Sequence, residues 1–189
     1  MGLKVSVSLE EIFELRKLGY QMSPVKVVFK SSLSSLKLSF LEIDNVLEGS
    51  TMTVPMWVAN VLAKHGMVEI FKEGFDEEFF RSVAKEKLLR DSAMISQLSD
   101  EFYVHLIDFL EKKRSEAPSN VLSRSDYQKV HNDAQDLVSI RIRKLLHYAR
   151  TYSDASDILP KMTLEEKMLL QYLQKLVQDF TSSIFEEGA

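Results

Sequence analysis

The stretch TVPMWVANVLAKHGMVEIF (Thr53–Phe71) holds the single tryptophan of the chain and decides how the first part of it is read. Thr53–Val54 ends a short strand. Pro55 then stands where proline favours a helix start, because its missing N–H is not needed in a first turn. Trp57, Val58, Val61 and Leu62 fall on one helical face, Gly66 ends the helix, and MVEIF is again strand-like. The reading is a compact β-α-β unit with Trp57 as its plug, since one buried tryptophan covers about 150–250 Å². Pro55, Trp57, Val58, Val61 and Leu62 are its expected core. Met52, Met56 and Met67 read as further core, with a binding surface as the other option.

Working outward toward the N-terminus, Ser8 precedes LEEIFELRKLG with Glu11 three residues later, a capping box. Leu9, Ile12 and Phe13 form its stripe, and Gly19 is positioned to close the helix. VKVVF (Val25–Phe29) is strand-like and SSLSS reads as a turn. LKLSFLEI (Leu36–Ile43) alternates as one strand, with Leu36, Leu38 and Phe40 on one face and Lys37 and Ser39 on the other. A turn at Gly49 follows.

Toward the C-terminus the period becomes helical from Phe75 almost to the end. FDEEFFRSVAKEKLLRDSAMISQL carries Phe79, Phe80, Val83 and Leu88. SDEFYVHLIDFLEKKRSEA carries Phe102, Leu106, Phe109 and Leu110, with basic residues at its end as the helix dipole favours. PSNVLSRS reads as a loop. Asp126–Tyr152 is the longest helix, with Val130, Ala134, Val138, Ile142, Leu145 and Ala149 at spacings of three or four. Thr163 and Glu166 form a second capping box, and Leu169, Tyr172, Leu173, Leu176, Phe180 and Ile184 line one face of the last helix. The expected class is mainly α with a small β-rich N-terminal domain (α+β). Residues 1–73 form the β-rich domain and 74–189 a bundle of about four long helices. The junction near Gly74 is short, so the two are either fixed against each other or hinged there.

The totals bound the function. The net charge of −4 is too small for electrostatic capture of nucleic acid by the whole chain. It resides beyond Gly74, where 16 basic residues meet 20 acidic ones; before it, 8 meet 8. The chain has no cysteine, which removes disulfides, thiolate nucleophiles and cysteine-ligated metal centres. MGLKVSVSLEEIFELRKLGY lacks the apolar run of a signal peptide, and no segment approaches the roughly 20 apolar residues of a membrane span. The expected setting is intracellular, with no membrane partner.

Chemistry-bearing patterns are sparse. His65, His105, His131 and His147 have no second ligand at metal-helix spacing, and HND (His131–Asp133) sets its acid on a different side of a helix. No glycine pattern cradles a phosphate and no serine sits in GxSxG. No catalytic, cofactor or metal residue is expected, and the chain is read as a non-enzyme. RIRKLLHYAR (Arg141–Arg150) carries four positive charges without an acid, and Lys112, Lys113 and Arg114 form a second cluster. Arg141, Arg143, Lys144 and Arg150 are therefore candidates for weak DNA contact, with a solvated or salt-bridged face as the other reading. Ile140 lies opposite Val138 and Ile142, which suggests a helix buried on two sides.

Taken together, these segments resemble a subunit of the GINS complex, the replication assembly that partners the MCM helicase. TVPMWVANVLAKHGMVEI is similar to the family's small β domain, with Met56 and Val58 in place of the usual leucines. DAQDLVSIRIRKLLHYA is similar to its long helix at Asp136, Ile140, Arg141, Lys144 and Leu145. MTLEEKMLLQYLQKLVQDF is similar to its final helix. With the β module first, the order resembles the class called partner of Sld-five, types two and three, in an archaeal version. The resemblance implies a non-catalytic scaffold without cofactors, which bridges and supports the replicative helicase in DNA replication. Its implied partners are the subunit type with the helical domain first, in a 2:2 heterotetramer, the MCM helicase and a RecJ-like (Cdc-forty-five-type) protein. It implies a subunit interface at Asp136, Ile140, Arg141, Lys144, Tyr172, Leu176 and Phe180, with Arg141 and Lys144 in inter-helix or inter-subunit salt bridges. The setting it implies is cytoplasm or nucleoid in an archaeon and nucleus in a eukaryote. The alternative function is a nucleic-acid-binding helical module using Arg141–Arg150.

Overall fold

The computed structural model describes residues 8–38, 41–71, 74–89, 91, 94–151 and 156–185, with side chains at all of these except 36–38, 41–43 and 119. It is mostly helical with a small β component, in the order α1 (Leu9–Met22), β1 (Pro24–Phe29), β2 (Leu33–Leu38), β3 (Leu41–Val46), β4 (Thr51–Pro55), α2 (Met56–Lys64), β5 (Val68–Ile70), α3 (Phe75–Leu88), α4 (Phe102–Glu116), α5 (Val121–Thr151) and α6 (Leu164–Phe185). Three-residue 3₁₀ turns precede α5 and α6. The chain divides into two compact units, Glu14–Gly74 and Phe75–Ala189 with Met1–Phe13, so α1 is shared between them.

The smaller unit is built on β1. Its alternation buries Val25, Val27 and Phe29 on one side. It pairs antiparallel with β4 (Val25 opposite Val54) and with β5 (Phe29 opposite Val68), giving the sheet order β4-β1-β5. Helix α2 covers this sheet with Met56, Val58, Ala59 and Leu62. Pro55 closes β4 and is the N-cap of α2, its fixed φ of −58° serving both roles. Gly66 takes φ 71° just past the helix. It donates to Ala63 O (2.9 Å) while Met67 N–H donates to Leu62 O (3.0 Å), a Schellman ending that needs a residue tolerant of positive φ.

Three expectations change in this unit. Trp57 is only partly buried and Val61 is 49% exposed, so the covering face of α2 is turned toward Met56 and Ala59 and neither Trp57 nor Val61 is its plug. The face is set by Pro55, which fixes the first turn so that Met56, not Trp57, follows the strand inward. The single strand expected over Leu36–Ile43 is two, paired as a hairpin with Leu33 opposite Val46 and Leu38 opposite Leu41; Ser39 and Phe40 lie outside the described residues. Helix α1 passes through Gly19 to Met22 and stops where Ser23 precedes Pro24, a position that disfavours helical backbone.

The larger unit packs α3, α4 and α5 around Phe79, Val83, Phe102, Leu106, Phe109, Val130, Ala134 and Leu137. Phe75 stacks into this group with ring centroids 5.3 Å from Phe102 and 5.7 Å from Phe109. A second group joins Ile95, Leu145, Tyr148, Ala149, Ile158, Met162 and Leu170. Helix α3 ends at Leu88, short of the expected Leu98, and Met94–Ser99 is non-helical with Ile95 and Leu98 buried. Helix α5 begins five residues before the expected Asp126, because Asn120 accepts the N–H of Ser123 on its side chain at 2.8 Å and caps the first turn. Both expected capping boxes form: Ser8 with Glu11 (2.6 and 3.1 Å) and Thr163 with Glu166 (3.2 and 3.3 Å).

Candidate functional site

Helix α5 is 31 residues long, about 46 Å at 1.5 Å per residue. Its buried positions are Val130, Ala134, Leu137, Arg141, Lys144, Leu145, Tyr148 and Ala149. The spacing of three and four that defines an inward stripe therefore runs straight through two cations. Leu137 belongs to the first apolar group and Leu145 to the second, so Arg141 and Lys144 form a charged layer between them.

Arg141 is 0% exposed and is satisfied from three directions. Its Nε donates to Glu166 Oε1 at 2.7 Å and its Nη2 to Glu166 Oε2 at 2.5 Å, a bidentate pair. Its Nη1 donates to Glu86 Oε2 (3.1 Å) and to the Ser96 carbonyl (2.5 Å), and Nη2 reaches the Lys161 carbonyl at 3.5 Å. Lys144 Nζ donates to Glu86 Oε1 (2.7 Å) and to the Leu89 carbonyl (2.8 Å), where it caps the end of α3. Glu86 also accepts the Ser96 N–H at 3.0 Å and the Ser96 hydroxyl, and Glu166 accepts the Tyr103 hydroxyl at 2.7 Å. Two cations thus meet two carboxylates, and the layer ties together α3, α4, α5, the 94–98 segment and the start of α6.

The electrostatics follow from this packing. Burial works to raise the Glu86 carboxyl, but the hydrogen bonds from Lys144 and Ser96 and the charge of Arg141 hold it below its ordinary 4.5. Burial works to lower Arg141, and its bonds to Glu166 and the charge there raise it instead. Burial, then the charge of Glu166, pushes the Tyr103 hydroxyl well above its ordinary 10.0. Every shift favours the paired, charged state of the cluster. The arrangement is a closed structural lock, with its donors and acceptors spent on one another.

The expected DNA face is thereby corrected. Arg141 and Lys144 point inward, and of the four candidates Arg143 and Arg150 alone are exposed, beside Ile142 and Leu146 on the outer side of α5. Of the two salt-bridge options expected for Arg141 and Lys144, the inter-helix one forms, and the same burial removes both residues from the expected subunit interface because their carboxylate partners lie in this chain. Asp136 is exposed and pairs with Lys87 at 2.9 Å, where that bond, followed by the one to Asp133, raises the lysine above its ordinary 10.5. Ile140 is partly buried, whereas Ile142 and Val138, expected inside, are respectively exposed and partly buried.

The remaining interface candidates sit on α6, and there the surface is open. The buried residues of α6 are Glu165, Glu166 and Leu170, all in its first two turns. Leu169 and Leu173 are partly covered by the second apolar group. Beyond them Tyr172, Leu176 (66%), Phe180 (68%), Ile184 (52%) and Phe185 are exposed. Tyr172, Leu176, Phe180 and Ile184 recur every four residues and make one ridge.

Sequence reasoning missed Glu86, Ser96, Tyr103 and the lock itself. A signal existed: Glu86 stands three and seven residues after the buried Val83 and Phe79, so it shares their face of α3. Among the described residues no group of three or more His, Asp or Glu side chains is arranged to hold a metal ion, and no helix is long and apolar enough to cross a membrane. Comparison with protein-family models and with curated proteins finds no match for this chain.

Proposed function

We propose that the chain is a non-catalytic structural subunit of a GINS-type complex, bridging and supporting the MCM helicase, in the class whose small β domain comes first. The source of this reading is the resemblance of three segments, and three features of the molecule support it. The β-rich unit precedes the helical one in the chain, as that class requires. In the finer form of the proposal, α3 to α6 are its bundle of about four long helices. The most polar-looking helix stretch is consumed in internal structure, while an apolar helix ridge is left open.

The ridge on α6 is the observation that carries the proposal. Beyond Leu173 most positions of α6 are exposed, and a helix end this lightly covered is marginal in water, so it gains stability from a covering partner. Exposed apolar ridges of this kind mark protein interfaces more often than reactive sites. The proposed partners are the subunit type with the helical domain first, in a 2:2 heterotetramer, together with the MCM helicase and a RecJ-like protein. The nucleic-acid reading through Arg141–Arg150 is disfavoured, because two of its four cations are neutralised inside the chain.

Co-expression with a subunit of the opposite domain order, followed by mass measurement, tests the proposal. The expected outcome is a defined hetero-oligomer with the mass of two copies of each subunit, which the double variant L176E/F180E reduces to a smaller complex. Recovery of the chain alone, with no partner retained, overturns it.

A further inference from the structure

We infer that the α6 ridge is self-complementary and that its occupant is the α6 of a second copy of this chain, packed antiparallel. This rests on the reading of α6 as an assembly surface, and not on which assembly it serves.

The ridge residues Tyr172, Leu176, Phe180 and Ile184 are evenly spaced about a midpoint near Gln178. A two-fold axis there sets Leu176 of one copy against Phe180 of the other, and Tyr172 against Ile184. Each large side chain meets a large one, and all four are exposed in the single chain. Isologous contact of this kind closes on itself at two copies.

Charge selects the orientation. From Gln171 to Phe185 the helix carries two charged residues, Lys175 and Asp179, and both are exposed. At 100° per residue they stand on the same flank of the ridge, with Asp179 nearer to it. Antiparallel pairing brings like flanks together, so Lys175 lies within about 3 Å, along the helix axis, of the second copy's Asp179, and the pair occurs twice. Parallel pairing would set this flank against Val177 and Thr181 instead, and leave both charges without a counterpart across the interface. The remaining exposed flank positions, Gln171, Gln178, Thr181 and Ser183, are neutral, so no like charges oppose approach.

Light scattering of the full chain during size-exclusion chromatography, over a range of concentrations, tests the inference. The wild type is expected to rise from 21.7 kDa toward twice that mass. K175D and D179K each place like charges across the two-fold and weaken association about tenfold. K175D/D179K restores the pairs and returns association to the wild-type level. Both charged positions are on the surface, and circular dichroism confirms that the variants keep their helix content. A wild type that stays at 21.7 kDa at every concentration overturns the inference, as does a double swap no better than the single variants. Capture by an opposite-order subunit is read separately: a monomer that still joins such a subunit defeats the self-pairing and leaves the assembly proposal standing, whereas a dimer that ignores it does the reverse.

Discussion

The middle of α5 and the end of α6 invert the usual rule of burial. Arg141 and Lys144 are inside, while Leu176, Phe180 and Ile184 are outside. The difference lies in what faces each segment. Arg141 meets two carboxylates and two carbonyls supplied by four parts of the chain, so its charge is desolvated but fully engaged. Toward the end of α6, Leu176, Phe180, Ile184 and Phe185 are exposed, so little of the chain shields these apolar side chains from water. Polarity sets the cost of burial; the neighbours decide whether that cost is met.

Breaking the charged layer is expected to have the largest effect. R141M strands Glu166 and the Ser96 carbonyl in a dry site and should lower unfolding free energy by about 3–5 kcal/mol, read from urea denaturation. R141M/E166M removes both partners of the bidentate pair and should recover part of that loss, since the Ser96 carbonyl and the Tyr103 hydroxyl still lack their partners and the Thr163–Glu166 cap is gone. A double variant as unstable as R141M alone would show that the layer acts through packing and not through charge.

In the smaller unit, L62A should cost about 2–5 kcal/mol, since Leu62 is on the buried face of α2, while V61A changes stability by no more than about 0.5 kcal/mol. Equal losses at the two positions would restore the face first expected for α2.

Acid sharpens the comparison next. Because the folded Glu86 carboxyl lies below its ordinary 4.5, its contribution is full above about that pH and is lost as pH falls through the lower folded value. The urea midpoint should therefore hold from neutral pH to about 4.5 and drop below it, and E86Q should flatten that part of the profile. The apolar end of α6 has no such dependence. L176S/F180S should leave the stability of the isolated chain within about 0.5 kcal/mol of wild type while sharply reducing association seen by light scattering. Smallest of all, R143E/R150E should alter neither stability beyond about 0.5 kcal/mol nor retention on DNA at low salt. A large loss of retention would revive the basic stretch as a ligand surface.

Much of the fold was legible because it depends on local chemistry. The capping residues Ser8 and Thr163, the glycines at 49 and 66, Pro55 and the β-branched run of β1 all act over a few residues, and each forms the element its type favours. The stripe on α5 was half legible. Val130, Ala134, Leu145 and Ala149 could be read, but the stripe was bent toward Val138 and Ile142 to avoid Arg141 and Lys144.

The sequence by itself determined the helical periods, the helix starts at Ser8, Pro55 and Thr163, the succession of a β-rich segment by a helical one, and the apolar ridge of α6. Tertiary structure alone decided that α3 stops at Leu88, that Met94–Ser99 leaves the helix to engage Glu86 and Arg141, and that the cations of α5 turn inward. The reason is distance along the chain. Glu86 and Arg141 are 55 residues apart and Arg141 and Glu166 are 25 apart, so the partners that make burial of a charge tolerable come together only when the helices pack.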